Sequence, residues 1–191
     1  MYAELLADAE LPALLLKFDQ DLAAECRSRG CPICSGVLHS ARYPRKPRGG
    51  PGHLPADYER RFSFCCAVDG CRKRATPASL RYLSRKVYLA AAVVLISAMR
   101  CGSLPARLRY LEELLGVSRR TIYRWRVWWR EVFPETPFWR AEGALLVPPL
   151  ERTLLPAALL ERFVGSARER LIALLRFIAP VTTDSPAVRA T

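Results

Sequence analysis

Hydrophobic positions along the chain change period several times, and the changes mark its parts. From residue 3 to residue 29 the pattern is helical, with Pro12 marking either a kink or the first turn of a second helix. Leu11, Leu15, Phe18, Leu22 and Cys26 recur at spacings of four, three, four and four, which predicts one apolar stripe ending at Gly30. Strand-like alternation follows, placing Phe62, Phe64 and Cys66 on one face and Arg61, Ser63 and Cys65 on the other. The stretch Tyr43 to Gly52 is crowded with Pro and Gly and carries no packing pattern, so it reads as a basic loop, either solvated or laid along a phosphate backbone.

From Ser84 the period is helical again. Ser84 to Arg100 predicts a buried helix ending at Gly102, and Ser103-Leu104-Pro105 has the cap and early Pro of a second, about Leu104 to Leu115, stopped by Gly116. With Ser118 as N-cap, a third helix begins at Arg119. In it Ile122, Trp125, Trp129 and Val132 fall on one face, and Arg119, Arg120, Tyr123, Arg124 and Arg130 on the remainder, while Val127 and Trp128 fit neither and are open to a partner. Beyond Pro137 only 155–178 is clearly helical, as one or two amphipathic helices bounded by Pro156 and Pro180. Packing or self-association is its expected role, and the tail from Val181 has no core-forming period.

Charge sharpens this picture. The chain holds 30 Lys+Arg against 18 Asp+Glu, a net +12 over 191 residues. The excess is not uniform: residues 1–39 carry −3, residues 40–130 carry +15, and residues 131–191 are neutral. Arg is 26 of the 30 basic residues, but a codon bias would act along the whole chain. A cationic excess confined to one stretch points to a polyanionic partner, double-stranded DNA foremost.

Seven cysteines add a metal site to the reading. Cys31-Pro32-Ile33-Cys34 followed by Gly36 has the two-residue spacing with which a tight turn aims two thiolates at one ion. The second pair lies in Phe64-Cys65-Cys66-Ala67-Val68-Asp69-Gly70-Cys71. Cys66 is preferred to Cys65 because it gives the shorter gap to Cys71, so the expected ligands of a structural Zn2+ are Cys31, Cys34, Cys66 and Cys71. His39 and His53 are weaker substitutes, and Cys26, Cys65 and Cys101 are expected in packing or at the surface.

Other classes fare poorly. The start has no basic segment ahead of an apolar one, which does not read as a secretory signal, and the longest apolar run, Val87 to Met99, is shorter than the roughly 18 to 20 residues that cross a bilayer. The expected location is cytoplasmic and nucleoid-associated, with no membrane partner. No Asp lies between Asp69 and Asp184, and the two histidines have no nucleophile motif near them, so no catalytic constellation is expected.

The order CPIC, FSFCCAVDGC with RKRATPAS, and LGVSRRTIYRWRVWW resembles the zinc-ribbon and helix-turn-helix front end of bacterial insertion-sequence transposases over residues 31–133. The four-residue gap in the second cysteine pair departs from the usual two. The resemblance implies binding at element ends by Arg119, Arg120 and Arg124. A ribonuclease-H-like catalytic domain would normally follow, and its carboxylate triad is not found here.

The expected fold is mainly α with a small β zinc ribbon, a three-helix helix-turn-helix unit and a C-terminal helical segment. Its parts are an N-terminal helical segment (1–30), the ribbon with its basic loop (31–83), the helix-turn-helix unit (84–133), the helical C-terminal segment (134–180) and a disordered tail (181–191). The expected DNA contacts are Arg119, Arg120, Thr121, Tyr123 and Arg124 from the third helix, with Arg45, Lys46, Arg48, Arg72, Lys73 and Arg74 from the ribbon. The expected function is a zinc-stabilised, sequence-preferring DNA-binding protein associated with a mobile element as accessory factor, regulator or shortened transposase. The alternatives are a targeting subunit for a separate transposase or recombinase, and an RNA-binding ribbon protein. A homodimer is a further candidate arrangement.

Overall fold

The computed structural model describes residues 2–50, 54–83, 88–99 and 105–183. His53, Cys101, the expected helix start at Ser103-Leu104 and the last eight residues lie outside them. The described chain is mainly helical with small antiparallel sheets. Among the described residues no helix is long and apolar enough to cross a membrane.

Helices α1 (Tyr2–Ala7) and α2 (Glu10–Arg29) open the chain, and α2 ends on Gly30, whose N–H donates to the Arg27 carbonyl at 3.2 Å. The buried face of α2 differs from the expected stripe. It runs through Leu11, Pro12, Leu15, Leu16, Asp19 and Ala23, while Phe18, Leu22 and Cys26 are only partly buried. A carboxylate therefore sits in the middle of the core face, which costs several kcal/mol unless it is fully paired.

The pairing comes from far along the chain. Arg81 Nε donates to Asp19 Oδ2 at 2.8 Å, the Ser79 hydroxyl to the same oxygen at 2.5 Å, and the Leu80 N–H to Oδ1 at 2.6 Å. The Arg81 guanidinium also donates to the carbonyls of Tyr58 and Arg60, each at 2.8 Å, and lies over the rings of Tyr58, Phe62 and Tyr82. Thr182, from the C-terminal end, accepts the Ser79 N–H at 2.9 Å. Helix α2, the strand region and the segment around Thr182 meet at this one buried network.

Two small sheets follow α2. Strands β1 (Leu38–Ser40), β4 (Phe64–Cys66) and β5 (Arg74–Ala75) form one in the order β1-β4-β5, and β2 (Tyr43–Pro44) pairs with β3 (Arg60–Arg61) in the other. Leu38 pairs with Cys66 and Ser40 with Phe64 in antiparallel register. The register sets the cysteine-bearing turns at one end of the larger sheet.

Helix α3 (Ala90–Ala98) is shorter than the predicted one. Tyr88 and Leu89 are extended instead, because the Leu89 N–H donates to the Arg48 carbonyl at 3.0 Å and the Ala90 N–H to the Arg81 carbonyl at 2.8 Å. Nearly every α3 residue is buried, since α1, α5 (Arg119–Val127), α7 (Ala157–Leu160) and α8 (Ala167–Ile178) all pack on it. A helix apolar all round fits that central place.

The expected single face of the third helix holds for Ile122, Trp125 and Trp129 but not for Val132, which is 49% exposed. Phe133 is fully buried in its place. The cause is a π-helical turn over Trp128–Val132, in which the Phe133 N–H reaches back five residues to the Trp128 carbonyl. A π turn holds more residues than an α turn, so the buried phase slips by one position. Phe133 then joins Trp128, Trp129 and, from α6 (Pro137–Glu142), Phe138 and Trp139 at centroid distances from 4.7 to 6.4 Å, and Phe177 of α8 extends the cluster. The C-terminal part thus packs against the end of α5. It contains two helices in the expected 155–178 window, α7 and α8, the second opened by a capping box of Ser166 and Glu169. A single hydrophobic cluster includes buried residues from Leu6 to Ala179.

Candidate functional site

The candidate metal centre is built by two turns. In the first, the Ser35 N–H donates to the Cys31 carbonyl at 2.8 Å and the Cys31 N–H to the Gly36 carbonyl at 2.9 Å, which folds Cys31 and Cys34 towards one point. In the second, Cys71 and Arg72 both donate their N–H to the Val68 carbonyl, at 3.1 and 3.2 Å. The extra residues of the Cys66–Cys71 gap are absorbed in this turn, with Gly70 and Arg72 at positive φ. The unusual spacing therefore still delivers both thiols to one place.

The sulfurs of Cys31, Cys34, Cys66 and Cys71 all lie within 4.8 Å of one another, with Cys31–Cys71 at 3.7 Å and Cys34–Cys66 at 3.5 Å. Thiolates about 2.3 Å from a tetrahedral ion stand about 3.8 Å apart, so the four sulfurs are close enough to hold a single metal ion. Gly36 leaves the room: a Cβ there would stand 3.3 Å from the Cys34 sulfur and 3.4 Å from that of Cys66. Cys65 is excluded, its sulfur lying instead within 3.5 Å of the Arg72 carbonyl, and His39, opposite Cys65 on β1, is not in the group.

Backbone donors tune the thiols. Those of Ile33 and Cys34 pull Cys31 down to about 7. The N–H groups of Gly36, Val68 and Lys73 favour the thiolates of Cys34, Cys66 and Cys71, but neighbouring sulfurs and burial outweigh them and hold these three above the ordinary thiol value. Four thiols this close cannot all ionise without a cation to share.

The second candidate surface is helix α5, reached from α4 (Pro105–Leu115) through Gly116, Val117 and Ser118. Gly116 sits at φ +58, the left-handed conformation that ends a helix with a change of direction, and Val117 tucks into the core. Ser118 occupies the N-cap position as expected, but its side chain makes no cap hydrogen bond. The capping acceptor is Glu112 of α4. Its Oε1 receives the Arg119 N–H at 2.9 Å and its Oε2 the Arg119 Nε at 3.1 Å, so one carboxylate clamps the start of α5. Replacing Glu112 with Ala should cost about 1 kcal/mol, as loss of an N-cap does, read as a lowered midpoint in urea unfolding.

On α5 the exposed residues are Arg119, Arg120, Tyr123 and Arg124, with Thr121 half-buried. Arg119 is engaged by Glu112; among the described residues Arg120 and Arg124 have no ion pair. Tyr123 is 67% exposed beside them.

The cations of the strand region divide in the same way. Arg45 and Arg74 both stand over the Tyr43 ring, at 4.8 and 5.7 Å, Arg72 is paired with Asp69, and Lys46, Arg48 and Lys73 are exposed. The loop that carries Arg48 is not the unpacked segment expected. Gly49 is buried, and a Cβ on it would stand 3.0 Å from the Trp125 ring, while Gly50 lies against Leu89. Glycines that looked like breakers are what let the loop close onto α5.

Comparison with protein-family models, with curated proteins and with solved structures gave no match.

Proposed function

We propose that the protein is a sequence-preferring duplex-DNA-binding protein, held in shape by a structural zinc ion on Cys31, Cys34, Cys66 and Cys71, in which α4 and α5 act as a helix-turn-helix. The observation that carries this reading is the division of α5. Arg120, Tyr123 and Arg124, at spacings of three and four, are exposed together, while Ile122 and Trp125 anchor the opposite side in the core. A recognition helix needs both, because its N-terminal residues must reach base edges while its back stays fixed. The +15 of residues 40–130 supports the same reading. Arg45, Lys46, Arg48, Arg72, Lys73 and Arg74 would supply phosphate contacts from the ribbon, and Arg119 would act chiefly by fixing the helix start through Glu112. The expected setting is a mobile element, as regulator, accessory factor or targeting partner of a separate transposase or recombinase.

Selection of bound duplexes from a random pool, followed by anisotropy titration, tests the proposal. Replacing both Arg120 and Arg124 with Ala should lower affinity for the selected duplex at least tenfold and flatten the salt dependence by about one log-log unit per lost phosphate contact. Unchanged affinity and slope would remove α5 from the interface. Tighter binding of structured RNA than of any selected duplex at equal salt would overturn the DNA reading.

A further inference from the structure

A cavity of about 260 Å³ lies between α3 and α5, lined among the described residues by Leu83, Tyr88, Val93, Thr121, Arg124, Trp125 and Trp128. Its walls are chemically uneven. Three aromatic rings and two aliphatic side chains make most of the surface, and Tyr88 meets Trp125 edge to face at 5.3 Å, which fixes both rings. Against these stand, among the described residues, the hydroxyls of Thr121 and Tyr88 and the cation of Arg124. Arg124 has no ion pair among the described residues, and the Trp125 Nε1, buried, has no hydrogen-bond acceptor among them. Trp128, also in the lining, begins the π-helical turn, a deviation that recurs at functional sites.

We infer that this cavity binds a small planar aromatic carboxylate of one or two fused rings. The rings of Tyr88, Trp125 and Trp128 suit an aromatic guest, edge-to-face or offset. The planar guanidinium of Arg124 matches a carboxylate with two parallel hydrogen bonds. The volume, just under the usual range for drug-sized ligands, limits the guest to one or two rings. The site itself does not depend on the DNA reading. Its consequence does: Thr121 and Arg124 belong to the α5 surface assigned above to duplex, so an acid bound there competes for them. Coupling of this kind is reciprocal, the duplex weakening the acid as much as the acid weakens the duplex.

The four tryptophans of the chain give the readout, since each has one indole N–H signal in a ¹⁵N-labelled sample. The probes are 2-naphthoate and its neutral counterpart 2-naphthamide. Naphthoate should shift the Trp125 and Trp128 signals saturably and leave Trp139, which does not line the cavity, in place. The amide, or naphthoate with the Arg124→Gln variant, should bind at least tenfold more weakly, with the Trp139 signal reporting that the variant remains folded. No saturable shift at millimolar acid, equal binding of acid and amide, or an equal response at Trp139 would overturn the site. Saturating naphthoate should also raise the duplex Kd at least tenfold. Acid that fills the cavity with duplex affinity unaltered overturns the antagonism, whereas a chain that binds the acid and no duplex overturns the DNA reading and leaves the cavity site standing.

Discussion

Asp19→Ala should lower stability by about 3 to 5 kcal/mol, the usual cost of removing one partner from a buried ion pair. Asp19 and Arg81 side chains are both fully buried. Truncating the carboxylate strands the Arg81 charge and also orphans the Leu80 N–H and the Ser79 hydroxyl, which have Asp19 as acceptor. At roughly 2 to 4 °C per kcal/mol for a chain of this size, the melting temperature should fall on the order of 10 °C, measurable by circular dichroism. A loss under 2 °C would show that the network contributes little.

The double variant Asp19→Leu with Arg81→Met sharpens the test. Apolar replacement of a whole buried pair is often neutral, because neither charge is left alone. Here the guanidinium also satisfies the carbonyls of Tyr58 and Arg60, and no methionine can do that. Recovery in the double variant should therefore be partial, leaving a deficit of about 1 to 3 kcal/mol from the Leu80 N–H, which loses its acceptor, and the Arg60 carbonyl, which loses the Arg81 donor, while the Tyr58 carbonyl keeps the Tyr82 hydroxyl. Full recovery would mean that water reaches those two groups.

That network shows where sequence reading stops. The four-cysteine cluster was legible because cysteines at short spacings carry chemistry in their identity, and the face of α5 because Ile122 and Trp125 keep one period that runs on to Trp129. Asp19 was not. It lies on the polar side of the stripe drawn through Phe18 and Leu22, and its partner stands 62 residues away, so nothing local marks it as core. Glu112 is a similar case, since its helix-capping role depends on a turn that brings Arg119 back to it. Val132 was misplaced because a fixed helical period cannot foresee the π turn that brings Phe133 inside. The loop at Arg48 to Gly50 was misread for the opposite reason: its glycines signal a turn locally, and only the presence of Trp125 and Leu89 makes them contact points.

Metal removal should have the other large effect, and two adjacent cysteines allow it to be assigned. Cys66→Ser should abolish stoichiometric zinc, measured by elemental analysis of protein purified without chelator, whereas Cys65→Ser should retain one zinc per chain. The geometry demands the contrast, because the Cys66 sulfur belongs to the four-sulfur group while that of Cys65 rests against the Arg72 carbonyl. Structural zinc contributes about 10 to 16 kcal/mol to folding in small zinc-finger peptides, as much as the whole stability of most domains. Cys31, Leu38, Phe64 and Cys66 are also part of the main hydrophobic cluster, so loss of the metal should spread beyond the turns. Hydrogen exchange after chelation should accelerate first over residues 31–44 and 60–75, then at Arg81 and its partners, with α8 protected longest because α1, α3 and α7 pack on it. Uniform acceleration across the chain would instead place the zinc site and the helical core in one cooperative unit. Retention of zinc by Cys66→Ser and its loss from Cys65→Ser would transfer the ligand role to the neighbouring thiol.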